Sequence, residues 1–465
     1  MPLPTIENTT RSGYVPKQTK FAWGLSGIAD TFLTYGLGAL VMPIYNIGYG
    51  VDAVLLGYAL SVPRLIDALT DPIMGIISDN TRSRWGRRRP YIFIGILLAA
   101  ILFPLIWIPP TDDNTGRFIW FASTMVLMTL VYTIFSVPTM ALGYEFTSDY
   151  DEKTRVMAWR GYLSIFAGLS VQWLYMLLVL PQFGGSEAEG IIYIGPVIGL
   201  IILITGLPAA IFCKEKVSVI SQPKVKLLEA FGLTLKNRGF IILMAGYILI
   251  VSAGSTVGSL GLYINIHYVC GGDKVMAGTI GGIFGTVMIG AAVLSMWMIG
   301  KISQWTSKRT GLMIGLALSI FGNFSLWFTM QPQTPWLQYI SAFFIGLGGQ
   351  GCWLMIDSMV ADTCDDDEVR SGLRREGTYS AAKGFSSKIA LTVTAVLAGY
   401  VLAFSGYQEG VAPSVEITLR MKLLLVGVNC TGLAMALFFF CFYPLSRQKM
   451  AENQRILAER QMNKS

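Results

Sequence analysis

Residues 64–90 read RLIDALTDPIMGIISDNTRSRWGRRRP. Taken as a helix, Arg64, Asp67, Asp71, Gly75 and Ser78 recur at spacings of three and four, so they share one face. Leu65, Ile66, Leu69, Ile73 and Ile76 make the opposite face. Two carboxylates and a cation therefore line a narrow stripe of an apolar helix. The helix then runs into a turn with five arginines between Arg82 and Arg89. What such a stripe means depends on the medium around it.

The rest of the chain identifies that medium. Of 465 residues, 53% are hydrophobic and 14% charged, where a soluble protein carries about 25% charged residues. Apolar runs of about 20 residues, the length that crosses a bilayer's hydrocarbon core, recur throughout. Twelve spans are expected: 20–48, 51–78, 91–109, 117–144, 157–180, 191–212, 239–268, 275–300, 310–330, 336–360, 378–406 and 418–443. The fold class is thus an all-α membrane protein. Fifty glycines and nineteen prolines suit packed and broken membrane helices.

The connections alternate in charge. Arg82–Arg89, Lys153 and Arg155, Lys214–Arg238, Lys301–Arg309 and Arg370–Arg375 form a basic set, and the intervening loops carry Asp112, Asp113, Glu187, Glu189, Glu409 and Glu416. The positive-inside rule assigns the basic set and both termini to the cytoplasm. The net charge of +7 is accounted for by these loops and is no nucleic-acid footprint. The divisions expected are a cytoplasmic N-terminal segment 1–19, a six-helix bundle 20–212, a middle loop 213–238, a second six-helix bundle 239–443 and a cytoplasmic tail 444–465. A weak repeat supports two parallel halves. TSDYDEKTR after span 4 is echoed by ADTCDDDEVRSGLRREG after span 10, and the arginine turn after span 2 by SQWTSKRTG after span 8. Parallel six-span halves are the organisation of major facilitator transporters.

Charges within a bilayer cost several kcal/mol unless they are paired or face water, so they are the strongest candidates. Asp67 and Asp71, one turn apart with Thr70 between them, offer hard oxygens to a small cation or a proton. Lys388 in span 11 needs a carboxylate or a substrate as partner. Asp30 in span 1, Arg64 in span 2, Arg160 in span 5 and Lys383 in span 11 are candidates for the substrate. So is Trp353, among the aromatic side chains whose faces stack on sugar rings. The arginine turn has a further reading. Asp79, Arg82, Arg87, Arg88 and Arg89 form a cytoplasmic latch to the acidic loops Asp149–Glu152 or Asp365–Glu368, made in the outward-open state and broken on rocking. No Walker loop, nucleophile elbow or zinc motif occurs, and the six cysteines lack metal-ligand spacing. An enzyme is not expected, nor any metal beyond Na+.

Three stretches carry a resemblance: RLIDALTDPIMGIISDNTRSRWGRRRP, VPTMALGYEFTSDYDEKTR followed by Arg160, and VADTCDDDEVRSGLRREGTYSAAKGFSSK ending at Lys388. Together they resemble the glycoside–pentoside–hexuronide:cation symporter family. The resemblance implies the major facilitator fold, with two pseudo-symmetric six-helix bundles, and Na+- or H+-coupled sugar symport by alternating access in the cell membrane. No cofactor beyond the coupling ion and no partner beyond the bilayer and a small solute are implied, and the expected state is a monomer. Asp67 and Asp71 would form the cation site. Arg160, Trp353 and residues near Lys383 would approach the sugar, and Lys388 would link the two sites. Two departures stand out. Where the melibiose carrier has a further span 4 aspartate, this chain offers Thr133 and Ser136. The helix 1 carboxylate that binds sugar in that carrier aligns with Thr31 of this chain, one position from Asp30. Lys383 replaces a neutral amide and, with Arg160, hints at an anionic sugar. The alternative readings are another amphiphilic or anionic solute, such as a lysolipid, or a non-transporting receptor on the same fold.

Overall fold

The computed structural model describes residues 14–147, 149–215, 237–372, 375–407 and 413–462. Its long helices are α1 (Lys17–Gly48), α2 (Ala53–Asn80), α3 (Arg89–Ile106), α4 (Asn114–Glu145), α5 (Tyr150–Val171), α6 (Glu187–Phe212) and α7 (Arg238–Val269). They continue as α8 (Lys274–Trp305), α9 (Lys308–Thr329), α10 (Gln338–Ser371), α11 (Glu376–Phe404), α12 (Val415–Cys441) and α13 (Arg447–Met462). The starts of eight of them are written in the sequence. Asp52, Asp113, Asp149, Ser186, Asn237, Asp273, Ser307 and Ser414 each accept a backbone N–H of the first turn that follows, satisfying donors that a helix end leaves free.

Among the described residues, eleven helices are long and apolar enough to cross a membrane. The twelfth expected span, 157–180, is met by α5, which is not among them because its first three turns hold Glu152, Lys153, Arg155 and Arg160. It begins seven residues early, capped by Asp149, and after Val171 the chain continues as a short helix, Leu174–Leu178. α10 runs past the expected end at residue 360 to Ser371 and stops at Gly372, whose φ of 72° suits a glycine C-cap. The charged stretches here are good helix formers, so the helices outlast the apolar spans. Most of the expected middle loop, 213–238, lies outside the described residues. Within the expected tail 444–465, residues Arg447–Met462 form α13.

Two features position the site. α1 contains π-helical turns at Phe32–Gly36 and Met42–Gly48, a widening that often marks functional positions. The first follows Asp30 directly. α2 and α11 lie against each other along much of their length. A Cβ on Gly57 would stand 2.7 Å from the Ala395 carbonyl oxygen, and one on Gly399 would strike that of Ala53. Only hydrogen at these two positions allows the approach that brings Lys388 to α2.

Candidate functional site: a charged, membrane-buried cavity

Asp67 and Asp71 project from α2 toward α4 and α11. The Thr133 hydroxyl stands 3.1 Å from Asp71 Oδ1 and 3.4 Å from Asp67 Oδ1, so it bridges the two carboxylates. The Thr70 hydroxyl lies 3.3 Å from it. From α11, Lys388 Nζ reaches Asp71 Oδ2 at 2.6 Å and the Asp67 carbonyl at 2.8 Å. Asp67 is buried. Of the two span 4 hydroxyls, Thr133 joins this group. Ser136, three residues on, forms no hydrogen bond with either aspartate.

A second cluster joins α1, α4 and α5. Arg160 donates to Asp30 Oδ2 at 3.0 Å, and the Tyr132 hydroxyl donates to Asp30 Oδ1 at 2.7 Å. The guanidinium also lies 5.7 Å from the Trp23 ring, whose indole N–H is anchored on the Thr139 carbonyl. The neighbouring Thr31 is buried and bonds back to the Gly27 carbonyl, so Asp30 is the helix 1 side chain that meets Arg160. Tyr132 is not among the candidates that the sequence singles out. Its position immediately before Thr133 was the available signal, since adjacent helical residues can face neighbouring clusters.

Between these clusters and the far side of the molecule lies a cavity of about 830 Å³, lined by Arg64, Asp67 and Tyr132 among others. Among the described residues, Arg64 makes no ion pair. Asp30, Arg160, Asp71, Lys388, Trp353 and Lys383 are not part of this lining; Tyr132 joins it to Asp30, and Asp67 joins it to the Thr133-bridged carboxylates. Trp353 packs edge-on against Tyr247 at 5.5 Å, and Lys383 pairs with Asp357. Asp357, 26 residues earlier, neutralises it across the α10–α11 contact.

In this conformation the arginine turn pairs within the first six helices and the residues just after them. Arg87 and Arg88 both meet Glu145, the latter at 2.8 Å, and Arg88 also meets Asp79 at 2.9 Å. Glu215 accepts the backbone N–H groups of Arg87 and Arg88 at 3.0 and 2.7 Å. Arg89 donates to the carbonyls of Ala210 and Ile211. No ion pair forms from Arg82 among the described residues. The anticipated partners are engaged elsewhere. Asp149 caps α5, Glu152 holds Lys20 at 2.5 Å and the Val15 N–H at 3.0 Å, and Asp366 holds Arg370 at 2.8 Å and Asn453 at 3.0 Å. Burial raises the Glu152 carboxyl, but Lys20, Val15 and Arg155 outweigh that and hold it below its ordinary range.

The contacts that tie the first six helices to the last six cluster away from that turn. Asn46 accepts from the Tyr263 hydroxyl, Tyr58 and Tyr400 share a hydrogen bond of 2.6 Å, and Trp173 donates to Thr286 at 3.1 Å. Lys274 meets the buried Glu187 at 2.7 Å, and Tyr175 donates to the same carboxylate at 2.9 Å. The cavity is thus sealed at the end opposite the arginines.

The model of one family, MFS/sugar transport protein, matches residues 22–447. The chain belongs to that family. Membership bears out the resemblance of the three motifs, and this family member is a sugar/cation symporter-type transporter and not an enzyme. Its relatives include a putative glycoside/cation symporter, YagG, of Escherichia coli, 25% identical over 94% of both chains. A glucuronide carrier protein homolog of the same organism is 24% identical over 94% of both. An isoprimeverose transporter of Lactiplantibacillus pentosus is 22% identical over 93% of this chain and 90% of its own. In fold, the transporter is similar to a bacterial homolog of the lysosomal transporter Spinster, solved inward-facing and occupied. The TM-score is 0.66 at 14% identity, covering 93% of this chain and 97% of that one. The major facilitator fold follows.

Proposed function

We propose that this transporter couples Na+ or H+ entry to uptake of a sugar or glycoside across the cell membrane, with both termini in the cytoplasm. The observation that carries the reading is the Lys388 ammonium held on Asp71 while Thr133 bridges Asp71 and Asp67. Two carboxylates and two threonine hydroxyls form a small-cation donor set. In the empty carrier Lys388 serves as a tethered counter-ion. An arriving ion takes over part of its role, neutralises the pair and frees the ammonium.

The sugar belongs at the neighbouring cluster. Asp30 accepts hydroxyl donors, Arg160 donates to hydroxyl oxygens, and Arg64 lines the cavity one turn before Asp67. A cation on Asp67 removes the charge that opposes Arg64 one turn away and changes what that guanidinium offers a ligand. Ion and sugar then favour each other's binding, and by linkage the coupling is mutual. With the far end read as the outer side, this conformation is closed outward, and reorientation requires Glu187–Lys274 and Asn46–Tyr263 to part.

A thermal-shift screen of the purified protein tests the reading. Neutral and acidic sugars are compared with and without Na+ and across pH, since a ligand that binds the folded state stabilises it. A sugar whose stabilising effect grows with Na+ or with proton concentration is expected. Stabilisation by lysolipids and by no sugar overturns it.

A further inference from the structure

The cavity has two unlike walls. α2 presents Arg64 and Asp67 and α4 presents Tyr132, whereas the lining from the last six helices carries no charge among the described residues. That second wall holds amides instead. Asn323 is satisfied by the Ser319 carbonyl at 2.8 Å. Two others are not. Asn265 Oδ1 and Gln338 Nε2 are buried without a hydrogen-bond partner, in residues only 6% and 1% exposed. Buried polar atoms are nearly always paired, so two orphans lining one cavity call for a partner.

Their chemistry is complementary. One is an acceptor and the other a donor, and a hydroxyl group is both. Asn265 lies in the last turns of α7 and Gln338 begins α10. A hydrogen bond of 3.1 Å from Tyr268 to Gln331 ties the end of α7 to the turn between α9 and α10. Both amides lie at the sealed end, away from Arg160. Along α7 the lining runs from Ile250 to Asn265, fifteen residues or roughly 22 Å of helix, which is longer than a single pyranose ring.

We propose that Asn265 and Gln338 form a hydroxyl-reading subsite at the sealed end of the cavity. It holds the second ring of a disaccharide or glycoside whose first ring lies by Asp30 and Arg160. The proposal rests on the sugar-transport reading. It assigns the choice between one-ring and two-ring substrates to residues of the uncharged wall.

The test uses the full chain, purified, with a panel of isoprimeverose, melibiose and a phenyl glucuronide, each beside the one-ring methyl glycoside of the sugar it contains. Asn265→Leu and Gln338→Met keep shape and remove the orphan atoms. Both are expected to fold with an unchanged or raised melting temperature, because burying an unpaired polar group is costly. Each should weaken the preferred two-ring ligand roughly fivefold to tenfold, the worth of about one hydrogen bond, and leave its one-ring fragment unchanged. Equal losses for both ligands, or an intact two-ring advantage, overturn the subsite. If the wild-type protein binds no member of the panel, the sugar reading beneath the subsite fails, and that failure is visible before any variant is made.

Discussion

Lys388 Nζ lies 2.6 Å from Asp71 Oδ2 and 2.8 Å from the Asp67 carbonyl oxygen, so a single ammonium from α11 sits against a carboxylate pair carried by α2. If it acts as a tethered counter-ion, removing it vacates a place for the coupling ion. Lys388→Ala is expected to bind that ion at least fivefold more tightly while the ion no longer alters sugar affinity. Titration of the melting temperature with Na+, and with pH, checks this. The pair is about one-third exposed, so its loss should cost only about 1–2 kcal/mol of stability. A variant that loses ion binding altogether would mean that Lys388 builds the ion site.

Asp30 is held between Arg160 and Tyr132. Asp30→Asn keeps a hydrogen-bond acceptor but removes the charge. It is expected to weaken the sugar more than tenfold, since charge-assisted hydrogen bonds are about twice as strong as neutral ones. Its response to the coupling ion without sugar should be unchanged. Tyr132→Phe removes one hydroxyl and should cost only about 1 kcal/mol of sugar binding. Calorimetric titration distinguishes the two.

Glu187 is 1% exposed and meets Lys274 and Tyr175 at the sealed end. Lys274→Met leaves a buried carboxylate without its cation. Because Lys274 is itself about one-third exposed, a cost of about 2 kcal/mol is expected, less than for a fully buried pair that loses one partner. The conformation sealed at this end should lose population. Spin labels on α1 and α7 near Asn46 and Tyr263 are expected to move apart, as measured by electron–electron resonance. Unchanged distances would make the pair a mere packing contact.

Lys20 and Glu152 supply a pH dependence with a definite sign. The Glu152 carboxyl is held below its ordinary value of 4.5. A depressed carboxyl contributes stability that is complete above the unfolded-state value and is lost as pH falls through the folded one. Wild type should therefore lose stability below about pH 4.5. Lys20→Met, lacking the largest stabilising partner, should show a flatter acid limb in melting temperature recorded from pH 6 downward.

The ion pair was legible because its spacing is local. Asp67 and Asp71 belong to one helical stripe, and a charged stripe within an apolar span has few uses. The fold was legible for the same reason, since apolar length and basic loops repeat along the chain. Longer-range partnerships were not. Glu187 and Lys274, 87 residues apart, read as loop charges because each lies just outside an apolar run. Lys383 read as a free cation because Asp357 lies on another helix. The orphan atoms of Asn265 and Gln338 leave no trace in sequence, since amides are common in packed spans and only the surrounding burial makes them unsatisfied. α5 was misjudged at its start because a charged helix end carries no apolar signal.

The central claim is that the Asp67–Asp71 pair harnesses an ion gradient to sugar movement. The direct measurement is uptake of a labelled sugar into proteoliposomes under imposed Na+ or H+ gradients, for wild type and Asp71→Asn. Wild type is expected to accumulate sugar only when one of the gradients points inward, and Asp71→Asn to equilibrate it without accumulation. Undiminished gradient-driven accumulation by Asp71→Asn would contradict the account.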